Sequence, residues 1–270
     1  MKVGFIPPIQ HLREYGLGYG NFALLLSDLM NEFPEYTKYY RTNRIANGTF
    51  LCLDNSAHEK GTGNDPEILW AQAYLCGANE LVAPDCLDNY PETVRRSLAA
   101  AESWSRNSNP LLESIMYVPQ GKDLLEWYHC LIDLIQIHET YLPTLKLTIG
   151  LSKDYEVWTG GLLHIIDEYL STLRRQHNFA VHLLGWGRDL WALRRIGSIH
   201  PWIRSTDSAK PFVYALGDIL LDPISDPPRY PGRPSDYFHR SFGDTQSPIA
   251  QQNANTFILT AQGRAYGPEE

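Results

Sequence analysis

The chain is poor in cysteine, and no thiol follows Cys130, which removes most metal-binding patterns at once. Its four cysteines, Cys52, Cys76, Cys86 and Cys130, show neither a CxxC pair nor the Cys/His spacing of a zinc site. Three of them stand in apolar stretches, where a free thiol behaves as a small buried hydrophobe. There is no Gly-x-x-x-x-Gly-Lys phosphate cradle, so neither a nucleotide nor a redox cofactor is implied. No apolar run approaches the ~18 residues that cross a bilayer. The opening stretch Met1-Lys2-Val3-Gly4-Phe5-Ile6-Pro7-Pro8 is broken by proline too early for a signal peptide. The expectation is a cytoplasmic protein with no membrane partner. A formal charge of −8 argues against coating nucleic acid by charge alone. A local basic group remains: Arg204, Lys210, Arg229, Arg233 and Arg240 with His200 and His239. It reads either as a polynucleotide face or as ordinary solvated surface.

What is present is an alternation. At 270 residues and 43% hydrophobic composition the chain suits one α/β barrel, a fold of about 250 residues. Apolar β-type runs fall at 3–7, 50–54, 80–83, 115–118, 146–150, 180–184 and 202–206. Helical periodicity falls between them at 20–33, 66–76, 91–103, 124–138, 161–177 and 188–195. An eighth strand is not evident; it is either irregular or within 212–221. The stretch 1–221 therefore reads as the barrel, and 222–270 as a proline-rich segment of the same domain that wraps it, because proline fixes φ and removes donors. Gly16-x-Gly18-x-Gly20 lacks the lysine of a phosphate loop and reads as a β1–α1 connection that can border a pocket.

Three aspartates close β-type runs: Asp54 after Leu51-Cys52-Leu53, Asp85 after Val82-Ala83-Pro84, and Asp207 after Arg204-Ser205-Thr206. In a parallel barrel the C-terminal strand ends meet on one rim, so three such carboxylates can share a pocket. Each alone also fits a turn residue or a helix N-cap.

Six segments in order are Leu53-Asp54-Asn55-Ser56-Ala57-His58-Glu59, Val82-Ala83-Pro84-Asp85, Tyr117-Val118-Pro119-Gln120-Gly121, Thr148-Ile149-Gly150-Leu151, His182-Leu183-Leu184-Gly185-Trp186-Gly187 and Arg204-Ser205-Thr206-Asp207-Ser208. Together they resemble the tRNA-guanine transglycosylase superfamily, most nearly its shorter branch, the 7-deazaguanine DNA transglycosylases of phages and bacterial modification clusters. The resemblance implies a modified (β/α)8 TIM barrel, single-domain and without the zinc subdomain. It further implies an enzyme that exchanges guanine in DNA for a free 7-deazaguanine base through a covalent aspartyl-glycosyl intermediate. Asp207 then matches the nucleophile. Asp54 matches the general acid/base, and Asp85 the acceptor of the guanine N1–H and 2-amino edge. Gln120 and the backbone near Gly150 match contacts to the base carbonyl. His58 falls where an aromatic stacks on the base, or else faces solvent, with Leu184 on the opposite wall. Arg204, Lys210, Arg229 and Arg233 are the expected contacts to the polynucleotide. If the chain is phage-encoded, it would work in the host cytoplasm.

The sequence also departs from the family. The three-cysteine, one-histidine zinc site of the tRNA enzymes cannot form here, since no cysteine follows Cys130. Ile149-Gly150 and Ser56-Ala57 replace glycine pairs, which reshapes the base pocket. A zinc-free enzyme acting on tRNA and a non-catalytic nucleic-acid-binding barrel subunit are the alternatives. Retention of both Asp54 and Asp207 favours catalysis.

Overall fold

The computed structural model describes residues 1–158, 160–186, 189–222 and 232–264. Eight strands alternate with helices in an α/β fold of the (β/α)8 TIM-barrel type, as the alternation of runs predicts. The strands are β1 (Lys2–Phe5), β2 (Phe22–Leu26), β3 (Phe50–Asp54), β4 (Glu80–Val82), β5 (Ser114–Tyr117), β6 (Lys146–Ser152), β7 (Phe179–Leu184) and β8 (Ser205–Ser208), hydrogen-bonded in the order β1-β8-β7-β6-β5-β4-β3-β2. The chain divides into two compact units, one formed by Met1–Ala23 with Leu183–Glu270 and the other by Leu24–His182, with boundaries inside β2 and β7.

In the Leu24–His182 unit the helices are α2 (Ser27–Glu32), α3 (Pro34–Asn47), α4 (Ala57–Lys60), α5 (Pro66–Cys76), α6 (Tyr90–Trp104), α7 (Leu124–Tyr141), α8 (Gly161–His164) and α9 (Ser171–Leu173); α1 belongs to the other unit. Three of these eight begin at a side-chain cap. Asp65 accepts from the Glu67 amide with Pro66 at the first helical position, Asn89 accepts from the Glu92 amide, and Asp123 from the Glu126 amide. The predicted helix 161–177 is instead interrupted by a π-helical turn, Ile165–Leu170. Register fixes which residues share one face of the sheet: Cys52 lies opposite Glu80, and Glu80 opposite Ser114. Glu80 is fully buried there, and its Oε1 accepts from Ser114 Oγ at 2.8 Å and Thr148 Oγ1 at 2.6 Å. A buried carboxylate needs such donors, because its desolvation is otherwise uncompensated.

The other unit holds α1 (Leu12–Tyr15), α10 (Leu190–Ile199), α11 (Lys210–Leu216) and α12 (Gln246–Ala261). β1 and β8 pair in parallel, with Gly4 opposite Asp207. Gly16–Gly20 follows α1 rather than preceding it. Gly18 is left-handed at φ 60°, and a Cβ there would stand 2.2 Å from the Val3 carbonyl oxygen. This glycine serves backbone approach. After β8 the chain packs an aromatic core in which Phe5 meets Phe212 edge-on at 5.3 Å and Phe242 stacks on His11 at 4.2 Å. Tyr237 Oη donates to the Ile6 carbonyl at 2.6 Å, and the Phe242 amide donates to His11 Nε2 at 2.9 Å. Asn253 on α12 ties three segments together: its Oδ1 accepts from the Leu221 amide, and its Nδ2 donates to the Pro211 and Ile219 carbonyls. Tyr237→Phe removes one buried donor and leaves the Ile6 carbonyl short of a partner. We expect a loss of about 1–3 kcal/mol, read from the urea unfolding midpoint.

Two further expectations are corrected. The eighth strand is β2, inside the stretch read as a helix at 20–33, while the alternative place, 212–221, contains α11. Phe22–Leu26 is a continuous apolar run buried at every position, and such a run does not distinguish a helix from a two-sided buried strand. The strand expected at 202–206 lies at Ser205–Ser208, so Asp207 sits within it rather than after it. The segment after Asp222 carries α12, a 16-residue helix with a buried face; residues 223–231 of the proline-rich stretch lie outside the described residues.

Candidate functional site

A buried polar constellation of the Leu24–His182 unit surrounds Asp85, three residues beyond the end of β4. Its carboxylate is buried, with 3% of the residue exposed. Oδ1 accepts from Asn55 Nδ2 at 2.7 Å, and Oδ2 accepts from Gln120 Nε2 at 2.5 Å. Asn55 follows β3 and Gln120 follows β5, so the loops after three adjacent strands converge on this one carboxylate.

The direction of both amides is settled at their other ends. Asn55 Oδ1 accepts from the Ala57 amide at 2.8 Å, and Gln120 Oε1 accepts from the Asp88 amide at 3.3 Å. Each amide group therefore turns its NH2 toward Asp85. The residue there must accept on both oxygens, which is the behaviour of an ionised carboxylate. Burial opposes that charge and raises the Asp85 pKa to about 6, while the Asn55 and Gln120 donors and the Arg96 guanidinium pull it back down. The result is a buried carboxylate held as an acceptor on both oxygens.

The surrounding loops are locked. The Gly63 amide donates to the Asp85 carbonyl at 2.8 Å, and the Asn64 amide to the Asn55 carbonyl at 2.9 Å. Tyr155 donates its hydroxyl to the Pro119 carbonyl. The Gln120 amide approaches Cys130 Sγ at 3.3 Å. A Cβ on Gly121 would stand 2.4 Å from the Trp127 amide nitrogen. Gly121→Ala must therefore displace either the first turn of α7 or the loop that holds Gln120. We expect a loss of about 1–3 kcal/mol in denaturant unfolding, the usual range for overpacking.

Asp54 ends β3 half-buried, and its Oδ2 accepts from the Ser56 amide at 2.9 Å. Ser56 is fully buried in the left-handed region at φ 61°, and its Oγ accepts from the Asp28 amide at 3.2 Å. Glycine would adopt this conformation without strain. The Ser56 hydroxyl contact ties this turn to α2. His58 is exposed on α4, and Gly150 is buried within β6. Asn55 was not singled out from sequence; its position immediately after the strand-ending Asp54 was the available signal.

In the other unit, Asp207 is buried, with 2% of the residue exposed. The turn after β7 grips it. Asp207 Oδ1 accepts from the Gly185 amide at 2.9 Å, its carbonyl accepts from the Trp186 amide at 3.0 Å, and Ser208 Oγ donates to the Trp186 carbonyl at 2.6 Å. Gly185 takes a left-handed φ of 60°, which aims its N–H at the carboxylate. Leu184, the last residue of β7, is half-buried beside this turn.

The basic residues separate on inspection. Arg204 is half-buried, with Nε donating to Ser205 Oγ at 3.1 Å and its guanidinium 5.7 Å from the Phe22 ring centroid. Arg233 lies over the Phe238 ring at 5.0 Å. Arg240 is exposed and paired with Asp236 at 2.9 Å. Lys210 and His200 are buried, at 1% and 6% exposure, and Lys210 Nζ lies 5.4 Å from the Tyr214 ring centroid. These two therefore do not belong to a solvated basic face, because the helix and turn that carry them point them into the core. Arg229 lies outside the described residues.

Among the described residues no group of three or more His, Cys, Asp or Glu is placed to hold a metal ion, and no helix is long and apolar enough to cross a membrane. The four cysteines are free thiols; burial pushes those of Cys76 and Cys130 up to about 12.

No family model matches the chain, and no curated protein does. Among solved structures it is similar to tryptophan synthase from M. tuberculosis, crystallised in an open form with BRD0059 bound, at 9% identity over 96% of this chain and 92% of that chain, with a TM-score of 0.48.

Proposed function

We propose that this TIM-barrel protein is a base-exchanging glycosyltransferase that replaces guanine in DNA with a 7-deazaguanine, the 7-cyano base or a close relative. The observation that carries the reading is the Asp85 carboxylate, buried and held as a double acceptor by Asn55 and Gln120. Guanine and 7-deazaguanines share the edge this carboxylate suits, an N1–H beside a 2-amino group. The second Nε2 hydrogen of Gln120 and the backbone at Gly150 serve the base carbonyl.

In this reading Asp207 attacks the sugar C1′. The C1′–N9 bond breaks, and guanine leaves with a proton supplied by Asp54. The incoming base gives its N9 proton to Asp54 and attacks C1′, which releases the Asp207 carboxylate. Each bond lost at C1′ is replaced by one formed, so no external energy source enters. Arg204 and Arg233 are the described candidates for phosphate contact.

The test is to incubate the protein with guanine-containing duplex DNA, single-stranded DNA or tRNA together with 7-cyano-7-deazaguanine. Nucleosides are then measured by mass spectrometry. The expected product is the 7-deazaguanine deoxynucleoside, with release of one guanine per base inserted. Product in tRNA alone would reassign the polymer, and product in none would overturn the reading.

A further inference from the structure

We propose that Asn55 is the positioning residue of the Asp85 carboxylate, and that through it the protein selects a planar ring whose edge offers two adjacent N–H donors. The second half rests on the base-exchange reading; the first does not. Asn55 is 1% exposed, and its amide group is fully engaged within the protein. One Nδ2 hydrogen goes to the Ala83 carbonyl at 2.6 Å, the other to Asp85 Oδ1 at 2.7 Å, and Oδ1 accepts from the Ala57 amide. It has no N–H left for a ligand, so its influence must pass through Asp85.

The loop 61–64 closes over it. The Asn64 amide donates to the Asn55 carbonyl, and a Cβ on Gly63 would stand 3.1 Å from Asn55 Cγ and 2.9 Å from Pro84 Cα. Asn55 also lies between Asp54 and Ser56, whose amide holds Asp54 Oδ2. One side chain thus anchors the reading carboxylate from the same turn that aims the Asp54 carboxylate.

Few charges face Asp85 from the elements packed on it. Arg96 on α6 favours the ionised form. Cys130 on α7 and Tyr155 are near enough to feel its charge, and burial raises both above the range in which they would ionise with it. Asp88 and Asp154 are the nearby acids, each facing Tyr155 alongside Asp85. Against that background an Asn55 donor is a large part of what keeps Asp85 charged.

The test uses the full chain labelled with carboxyl-13C aspartate, with Asp85→Asn to assign the signal. In Asn55→Ala the Asp85 titration midpoint should rise by about one pH unit or more, the effect of one lost hydrogen bond to a charged group. Asn55→Asp keeps the shape and places two carboxyls in contact, so it should titrate in two coupled steps, one well above neutrality. Calorimetric binding of 7-cyano-7-deazaguanine should weaken about tenfold or more in both variants at pH 8. It should recover on acidification only in Asn55→Asp, where a shared proton replaces the amide hydrogen. An unmoved midpoint in either folded variant overturns the positioning role. A moved midpoint with no base bound by the wild type at any pH supports positioning and overturns ring selection, which separates this inference from the function proposed above.

Discussion

Asp207→Asn is expected to abolish a denaturant-stable adduct with guanine-containing DNA and to slow base exchange by about three orders of magnitude or more. The substitution is conservative for the fold. The amide oxygen of asparagine can still accept from the Gly185 amide, and the backbone bond between the Asp207 carbonyl and the Trp186 amide is untouched. What the substitution removes is the anionic oxygen that the proposed attack on C1′ requires. Asp54→Asn should also be slow, because proton transfer to the leaving base fails, yet it should still trap some covalent complex. Denaturing gels of wild type and both variants read the adduct, and base release reads the rate. Full exchange or a surviving adduct in Asp207→Asn would withdraw the nucleophile assignment.

Asp85→Asn should lower kcat/KM for base exchange by about 10²–10³-fold with little change in adduct chemistry on any base that does bind. The reason is the fixed direction of two amides. Asn55 and Gln120 both turn NH2 groups toward position 85, so an asparagine there must set its own NH2 against one of them. It also offers one acceptor where the base edge needs two.

The pH dependence follows from the same carboxylate. Its pKa is raised from 3.8 to about 6, so base binding that needs the charge should hold above about 6 and fall away below it. Stability runs the other way. The folded protein holds this proton more tightly than the unfolded chain. The contribution is therefore most favourable in acid and is lost as pH rises from 3.8 through about 6. A difference of about two pH units corresponds to about 3 kcal/mol. Asp85→Asn should flatten both profiles across that window, measured by calorimetric titration and by urea unfolding at stepped pH. A wild-type binding profile unchanged from pH 5 to 8 would remove Asp85 from recognition.

Much of the frame was legible in the residues, because local rules and burial agreed there. Phe50–Asp54 is the strand expected at 50–54, and Pro66–Cys76 begins and ends as its cap and proline dictate. The alternation of apolar runs with amphipathic stretches sufficed for the barrel class. Where local rules were silent, the reading failed. β8 is the polar run Ser205–Ser208, buried at every position, and no hydropathy pattern finds it. Its polarity is satisfied across the sheet, with Thr206 Oγ1 donating to the Leu183 carbonyl and Ser208 Oγ to the Trp186 carbonyl. β2 failed for the opposite reason, since Phe22–Leu26 is apolar throughout and carries no period at all.

The site divides along the same line. The aspartates that follow β-type runs are a property of the chain, and that pattern was enough to single out Asp54, Asp85 and Asp207, although Asp207 lies within β8 rather than after it. That Asp85 is ionised, buried and gripped on both oxygens depends on Asn55 and Gln120, which lie 30 and 35 residues away. Which way an amide points is decided by its other partner, here the Ala57 and Asp88 backbone amides. In the same way, Lys210 looked like a surface cation in sequence, and only the packing of α11 shows it to be buried. A sequence specifies which groups exist and which strand ends they follow. Direction and desolvation are products of tertiary contact, and those two quantities decide what a carboxylate or an ammonium can do.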